Sequence, residues 1–127
     1  MESISIMSYL RGQEIPDDAH EFMSKIAVSE DKFLKIIKDC MQYIKRSGVD
    51  PAELAIRYIK DLEEPEHQYL RVLFVLPLKS INEAVRMQGL FYNTVYRGIL
   101  EKHLGKTPEE LDAFRKSVNI VFDIENT

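Results

Sequence analysis

The sequence predicts an all-α domain of about seven helices, and three observations carry that expectation. Apolar and charged residues recur with a helical period through most of the chain. From Tyr69 to Ile81 that period is lost, because Val72-Leu73-Phe74-Val75-Leu76 runs into Pro77 and Leu78 with apolar residues on every side. A helix of that kind is enclosed by other helices or by a membrane. A membrane span needs about 20 apolar residues; this run is shorter and holds Arg71 and Lys79, so it reads as the centre of a helical domain. Finally, the five glycines and five prolines mostly stand where helices would start or stop. No strand alternation of more than a few residues, internal repeat or low-complexity segment is evident.

The expected helices, in order, are 2–10, 17–27, 30–47, 51–62, 66–76, 79–104 and 108–124. Ser29-Glu30-Asp31 sets a cap and an acidic first turn at the start of the third. Along it Phe33, Ile36, Ile37, Cys40, Tyr43 and Ile44 form one apolar stripe. Asp50-Pro51-Ala52-Glu53 supplies a cap, a proline at the first helical position and an acid three residues after the cap, so it opens the fourth. Leu54, Ile56, Tyr58, Ile59 and Leu62 give that helix a wide apolar surface. Thr107-Pro108-Glu109-Glu110 repeats the grammar for the last helix, and Gly48 and Gly105 precede the two starts as helix terminators. The sixth helix and the last each carry two apolar faces, more than one small core covers. That surplus predicts a two-fold homodimer in which the last two helices join a four-helix bundle.

A chain of 127 residues with 45% hydrophobic content fits one globular domain, 1–127. Seventeen basic residues against 21 acidic ones give a net charge of −4, with no basic run longer than Lys45-Arg46, so no nucleic-acid footprint is expected. Cys40 is alone, which excludes an intramolecular disulfide and a cysteine-based metal site, and its helical setting predicts a buried structural thiol. Met1 to Arg11 has an early acid and no long apolar stretch, so no secretory signal or membrane span is read and the expected location is cytoplasmic.

Catalytic constellations are missing from the sequence. His20, His67 and His103 are not expected to put two metal ligands on one helix face, so no metal site is expected. The acid pairs Asp17-Asp18, Glu30-Asp31, Glu63-Glu64 and Glu109-Glu110 fall at helix starts or in turns, where solvated charge explains them. No nucleophile elbow, glycine-rich phosphate loop or Walker sequence occurs. His103, near a helix C-terminus, suits the dipole there. Tyr69, Tyr92 and Tyr96 offer phenols to the interior, whose expected partners are backbone groups.

Arg71-Val72-Leu73-Phe74-Val75-Leu76-Pro77-Leu78-Lys79-Ser80-Ile81, running on into Phe91-Tyr92-Asn93-Thr94-Val95-Tyr96, resembles the F-to-G helix region of globin-like sensor domains. It is most similar to the non-haem branch: the N-terminal domains of stressosome proteins, the sensor domains of sporulation histidine kinases and the stand-alone sporulation inhibitors. In haem-binding members the proximal histidine stands about one turn before the place held here by Val75. Arg71 occupies it, and His67 lies a further turn away, so no haem is expected. The resemblance implies a homodimer holding a fatty acid in an apolar tunnel, and inhibition by competing with a sporulation sensor histidine kinase for its signal.

The function expected is therefore non-catalytic signal binding. Candidate lining residues are Phe33, Ile37, Met41, Leu54, Tyr58, Leu70, Leu73, Phe74, Met87 and Phe91, taken as facing the central segment. Two rival readings stand beside it: a haem-based gas sensor with His67 as axial ligand, and a ligand-free helical module that binds a protein partner.

Overall fold

A computed structural model describes residues 15–26, 29–64 and 66–124. Its elements are α1 (Asp17–Lys25), α2 (Glu30–Arg46), β1 (Glu53–Lys60), β2 (Gln68–Leu76), α3 (Ile81–Thr94), α4 (Tyr96–Leu104), α5 (Pro108–Ser117) and β3 (Val118–Ile124). The architecture is thus mixed α and β, not the all-α, globin-like, seven-helix domain that the sequence predicts. The expected helix 2–10 lies outside the described residues.

Two expected helices, 51–62 and 66–76, and the end of the last one are overturned by the same physical cause. The apolar segment is the central strand of a three-stranded sheet of order β1-β2-β3. Its buried face carries Leu70, Val72, Phe74 and Leu76 and its other face the half-buried Leu73 and Val75, so this run too is apolar on both sides. β1 runs antiparallel to β2 from Glu53↔Val75 to Lys60↔Gln68. β3 runs parallel to β2 from Leu70↔Val118 to Leu76↔Ile124, and the three helices α3 to α5 form the crossover that a parallel pair requires. Pro77, with no N–H to give, follows the last residue of β2. Asp50-Pro51 leads into β1 and starts no helix. The resemblance to a helical F-to-G region fails on this point, since Arg71 to Leu76 is extended.

Strand alternation sorts the side chains. Leu54 and Ile56 of β1, Leu70, Val72, Phe74 and Leu76 of β2, and Val118, Ile120 and Phe122 of β3 point to one face and are buried. Phe22 of α1 meets Tyr58 on that face at a ring separation of 5.4 Å, and Phe91 of α3 meets Phe122 at 5.4 Å. α2 supplies six core side chains, Phe33, Ile36, Ile37, Cys40, Met41 and Ile44, none with any exposed surface. On the other face Arg57, Arg71 and Asn119 are exposed, while Leu73, Val75 and Val121 are half-buried.

The helices themselves follow their caps. Ser29 accepts from the Lys32 N–H at 3.2 Å to open α2, and Ser80 accepts from the Glu83 N–H at 3.4 Å to open α3. Gly48 and Gly105, with φ of 89° and 98°, follow α2 and α4 in the left-handed region where a Cβ is penalised. The long helix expected over 79–104 is broken at Val95, whose φ of −122° and ψ of −39° leave the α range. The last expected helix keeps only 108–117, because residues 118–124 are hydrogen-bonded to β2. The face expected to form a dimer through the last two helices is therefore shortened, since Val118, Ile120, Val121, Phe122 and Ile124 belong to β3.

The outer edge of β3 is covered by side chains of α3. The Tyr92 hydroxyl donates to the Ile120 carbonyl at 2.7 Å and accepts from the Ile120 N–H at 3.0 Å. Gln88 Oε1 accepts from the Phe122 N–H at 2.8 Å. An edge strand whose polar groups are occupied in this way is no template for another strand.

Candidate functional site

None of the ten residues expected to line a pocket lines the cleft or the hollow that open among the described residues. Phe33, Ile37 and Met41 on α2, Leu54 on β1, Leu70 and Phe74 on β2 and Phe91 on α3 are core residues with no exposed surface. Met87 is half-buried on α3, and Tyr58 is half-buried with its hydroxyl donating to Gln68 Oε1 at 2.8 Å. Leu73 is separated from the others by strand geometry. As helix positions Leu70, Leu73 and Phe74 would share a face; as strand positions, Leu73 points away from the other two. Phe91 is the aromatic hub, with the rings of Tyr43, Tyr92, Tyr96 and Phe122 all within 5.6 Å of its own.

A cleft of about 480 Å³ opens elsewhere, between the C-terminal half of α2 and the α3–α4 junction. α2 contributes Asp39, Gln42, Tyr43 and Arg46; the break at Val95 contributes Thr94, Val95, Gly98, Ile99 and Lys102. The spacing 39, 42, 43, 46 is one helical stripe, so the α2 wall is built by period alone. The α4 wall depends on the break, because Val95 redirects the chain so that Gly98, Ile99 and Lys102 face α2. Gly98 has no atom within 4 Å of where a Cβ would stand, so its missing side chain is open space.

Charge in the cleft is organised around Asp39. His103 Nε2 donates to Asp39 Oδ2 at 2.8 Å, and Lys102 Nζ lies 3.3 Å from the same oxygen. Partial burial pushes the Asp39 carboxyl up, but the hydrogen bonds from His103 and Lys102 and the charge of Lys102 outweigh it and hold the group below the usual carboxylate range. His103 is only 13% exposed and Asp39 18%, so their pairing ties α4 to α2. The last-turn position expected for His103 is correct, and its partner 64 residues away is what the sequence concealed.

The remaining reactive groups lie outside the cleft. Cys40 is fully buried and burial, with the neighbouring Asp39 charge, pushes its thiol far up, so it is unreactive. Thr94, in the cleft wall, spends its hydroxyl on the Leu90 carbonyl. Tyr96 is 1% exposed and its hydroxyl has no partner; burial raises its pKa. Tyr92 does bond backbone as expected, whereas the Tyr69 hydroxyl accepts from Arg71 at 3.2 Å.

His67 belongs to the turn joining β1 to β2, not to the turn of a helix before an apolar pocket. Its ring lies 5.5 Å from that of Tyr69, and its Nδ1 is 3.9 Å from Asp61 Oδ2. Asp61, Glu64 and His67 each offer a ligand atom, all within 4.8 Å of one another. Sequence reasoning missed this group because it sought ligand pairs on helix faces. Glu64 and His67 do stand three residues apart, but in a hairpin.

Comparison of the chain with protein-family models, with characterised proteins and with solved structures gives no significant match. Function is therefore argued from the site. Among the described residues no helix is long and apolar enough to cross a membrane.

Proposed function

We propose that this protein is a non-catalytic binding domain that takes a small amphiphilic carboxylate, of the fatty-acid class, in the cleft between α2 and α4. The observation that carries the reading is the meeting of cationic and apolar side chains in one cleft. Arg46 and Lys102, both exposed, line the cleft together with Val95, Gly98, Ile99 and the half-buried Tyr43. A guanidinium fork matches a carboxylate bidentately, and Arg46 is exposed at the end of α2. Asp39 does not repel such a ligand strongly, because Lys102 pairs with it at 3.3 Å and His103 hydrogen-bonds the same oxygen. The volume of about 480 Å³ is within the range of roughly 300–1,000 Å³ typical of small-ligand sites.

The non-catalytic part rests on what surrounds the Asp39–His103 pair. Nucleophilic catalysis needs a side-chain nucleophile within hydrogen-bond reach of its base. Thr94 is committed to Leu90, and Cys40 is buried away from the cleft lining. The seven fully buried candidates offer no exposed surface, which favours the cleft over a tunnel around β2 as the place of the ligand.

Calorimetric titration of delipidated protein with decanoate tests the reading, with decanol as the uncharged control. Saturable binding of the acid, lost in Arg46→Gln and in Gly98→Phe, is expected. Absence of both binding heat and thermal stabilisation at saturating decanoate would sink it, since a ligand of the native state must raise apparent stability.

A further inference from the structure

The β1–β2 hairpin carries four acids and a histidine in seven residues, Asp61-Leu62-Glu63-Glu64-Pro65-Glu66-His67, and the α2–α4 cleft uses none of them. Among the described residues, Asp61, Glu64 and His67 form the one group of metal-ligating side chains gathered this closely. We infer that this hairpin binds a divalent transition-metal ion of the zinc class through Asp61, Glu64 and His67, with water completing the shell.

The donor set selects the ion class. Two carboxylate oxygens and an imidazole nitrogen suit zinc, cobalt or manganese, whereas calcium and magnesium take shells of oxygen. Distance agrees with this. Donors at about 2.1 Å from a tetrahedral ion stand about 3.4 Å apart, and the three atoms are already within 4.8 Å, with Asp61 and His67 at 3.9 Å. Rotation of exposed side chains closes the difference.

Two features orient the ligands before any ion arrives. Asp61 Oδ1 accepts from the N–H groups of Glu63 and Glu64, at 2.9 and 3.3 Å, which leaves Oδ2 turned toward His67. The ring of Tyr69 flanks His67. The imidazole is what distinguishes this group from an ordinary acidic turn, because it supplies the nitrogen that borderline metals prefer and alkaline-earth ions do not. Beside it a hollow of about 480 Å³, lined by Glu64, Glu66 and His67, has room for the ion and its waters.

The test uses the full chain, stripped with a chelator and titrated with zinc chloride by calorimetry. Uptake of one equivalent is expected, weakened at least about tenfold in His67→Gln and in Asp61→Asn. Asp61→Asn retains the oxygen that holds the turn while losing the charge. His20→Gln is the control, because His20 and Glu30 form the other exposed histidine–carboxylate pair, at 3.8 Å; it leaves the affinity unchanged. Magnesium chloride gives no comparable heat. The inference is overturned by the absence of stoichiometric zinc uptake, by loss of binding in His20→Gln but not His67→Gln, or by equal binding of magnesium. Failure here leaves the carboxylate cleft untouched, as the two sites share no residue.

Discussion

Tyr92 and Tyr96 stand four residues apart, with rings 5.0 Å from each other, yet removal of their hydroxyls is expected to act in opposite directions. In Tyr92→Phe the Ile120 N–H and C=O both lose their partner at the edge of β3. Each hydrogen bond contributes on the order of 1 kcal/mol net, and a polar group left unpaired costs about 1–3 kcal/mol. The contact is part-buried, so water replaces only part of the loss, and destabilisation of about 2 kcal/mol is expected. In Tyr96→Phe no hydrogen bond is lost, because the hydroxyl has no partner and the residue is 1% exposed. Its desolvation cost disappears, against a small void left by one oxygen, so stabilisation of up to about 1 kcal/mol is expected. Urea unfolding followed by far-ultraviolet circular dichroism measures both, the slope being held constant so that the midpoint reports stability. The refuting result is a Tyr96→Phe variant that loses as much stability as Tyr92→Phe. That outcome would mean the Tyr96 hydroxyl is bonded in solution and that this part of the interior is wetter than described here.

Other consequences are open to simple measurement. Gly98→Ala places a methyl in open space within helix α4 and is expected to raise stability by about 0.4–1 kcal/mol; a lowered melting midpoint would show that the site is crowded. Asp39 has a depressed pKa, so its contribution to stability is complete above its unfolded value of 3.8 and is lost as pH falls through the lower folded value. Asp39→Asn is therefore expected to be less stable than the parent at neutral pH, with the gap closing as the solution is taken below that value; a gap that stays constant from neutral to acid pH would refute the pairing. Cys40 is expected to resist a thiol reagent in the native state and to react after unfolding. Prompt native-state labelling would contradict its burial.

Legibility differed sharply between elements. Helix α2 was readable end to end, because Ser29, the acidic first turn, the stripe from Phe33 to Ile44 and Gly48 all speak locally. The strands were misread for a shared reason. In Leu54-Ala55-Ile56-Arg57-Tyr58 and Tyr69 to Leu76, apolar residues are dense enough to satisfy a period of 3.6 as well as one of 2. Only length and β-branched content separate the two in so short a run. Val118-Asn119-Ile120-Val121-Phe122-Asp123-Ile124 did carry a strand signal, with Val118, Ile120, Phe122 and Ile124 on one face. The alternation was missed because the helix start at Thr107-Pro108 says where a helix opens and nothing about where it ends.

The candidate sites divide in the same way. The polar stripe Asp39, Gln42, Tyr43 and Arg46 was available from helical spacing, but its facing wall was not, because nothing local states that the chain bends at Val95. The Asp39–His103 contact joins residues 64 positions apart. Glu64 and His67 were close in sequence and were passed over, since their geometry depends on a turn that exists only once β1 and β2 are paired.

What the chain alone determined was the set of features governed by neighbours within a few residues: the helix starts at Ser29 and Thr107-Pro108, the buried fate of Cys40 and the last-turn place of His103. What the tertiary structure decided was the secondary structure of the apolar segments. Strand and helix both satisfy the backbone of such a run, and the choice between them is made by partners that lie far away in sequence. The hydrogen bonds that hold β2 come from β1 on one side and from β3, more than forty residues later, on the other.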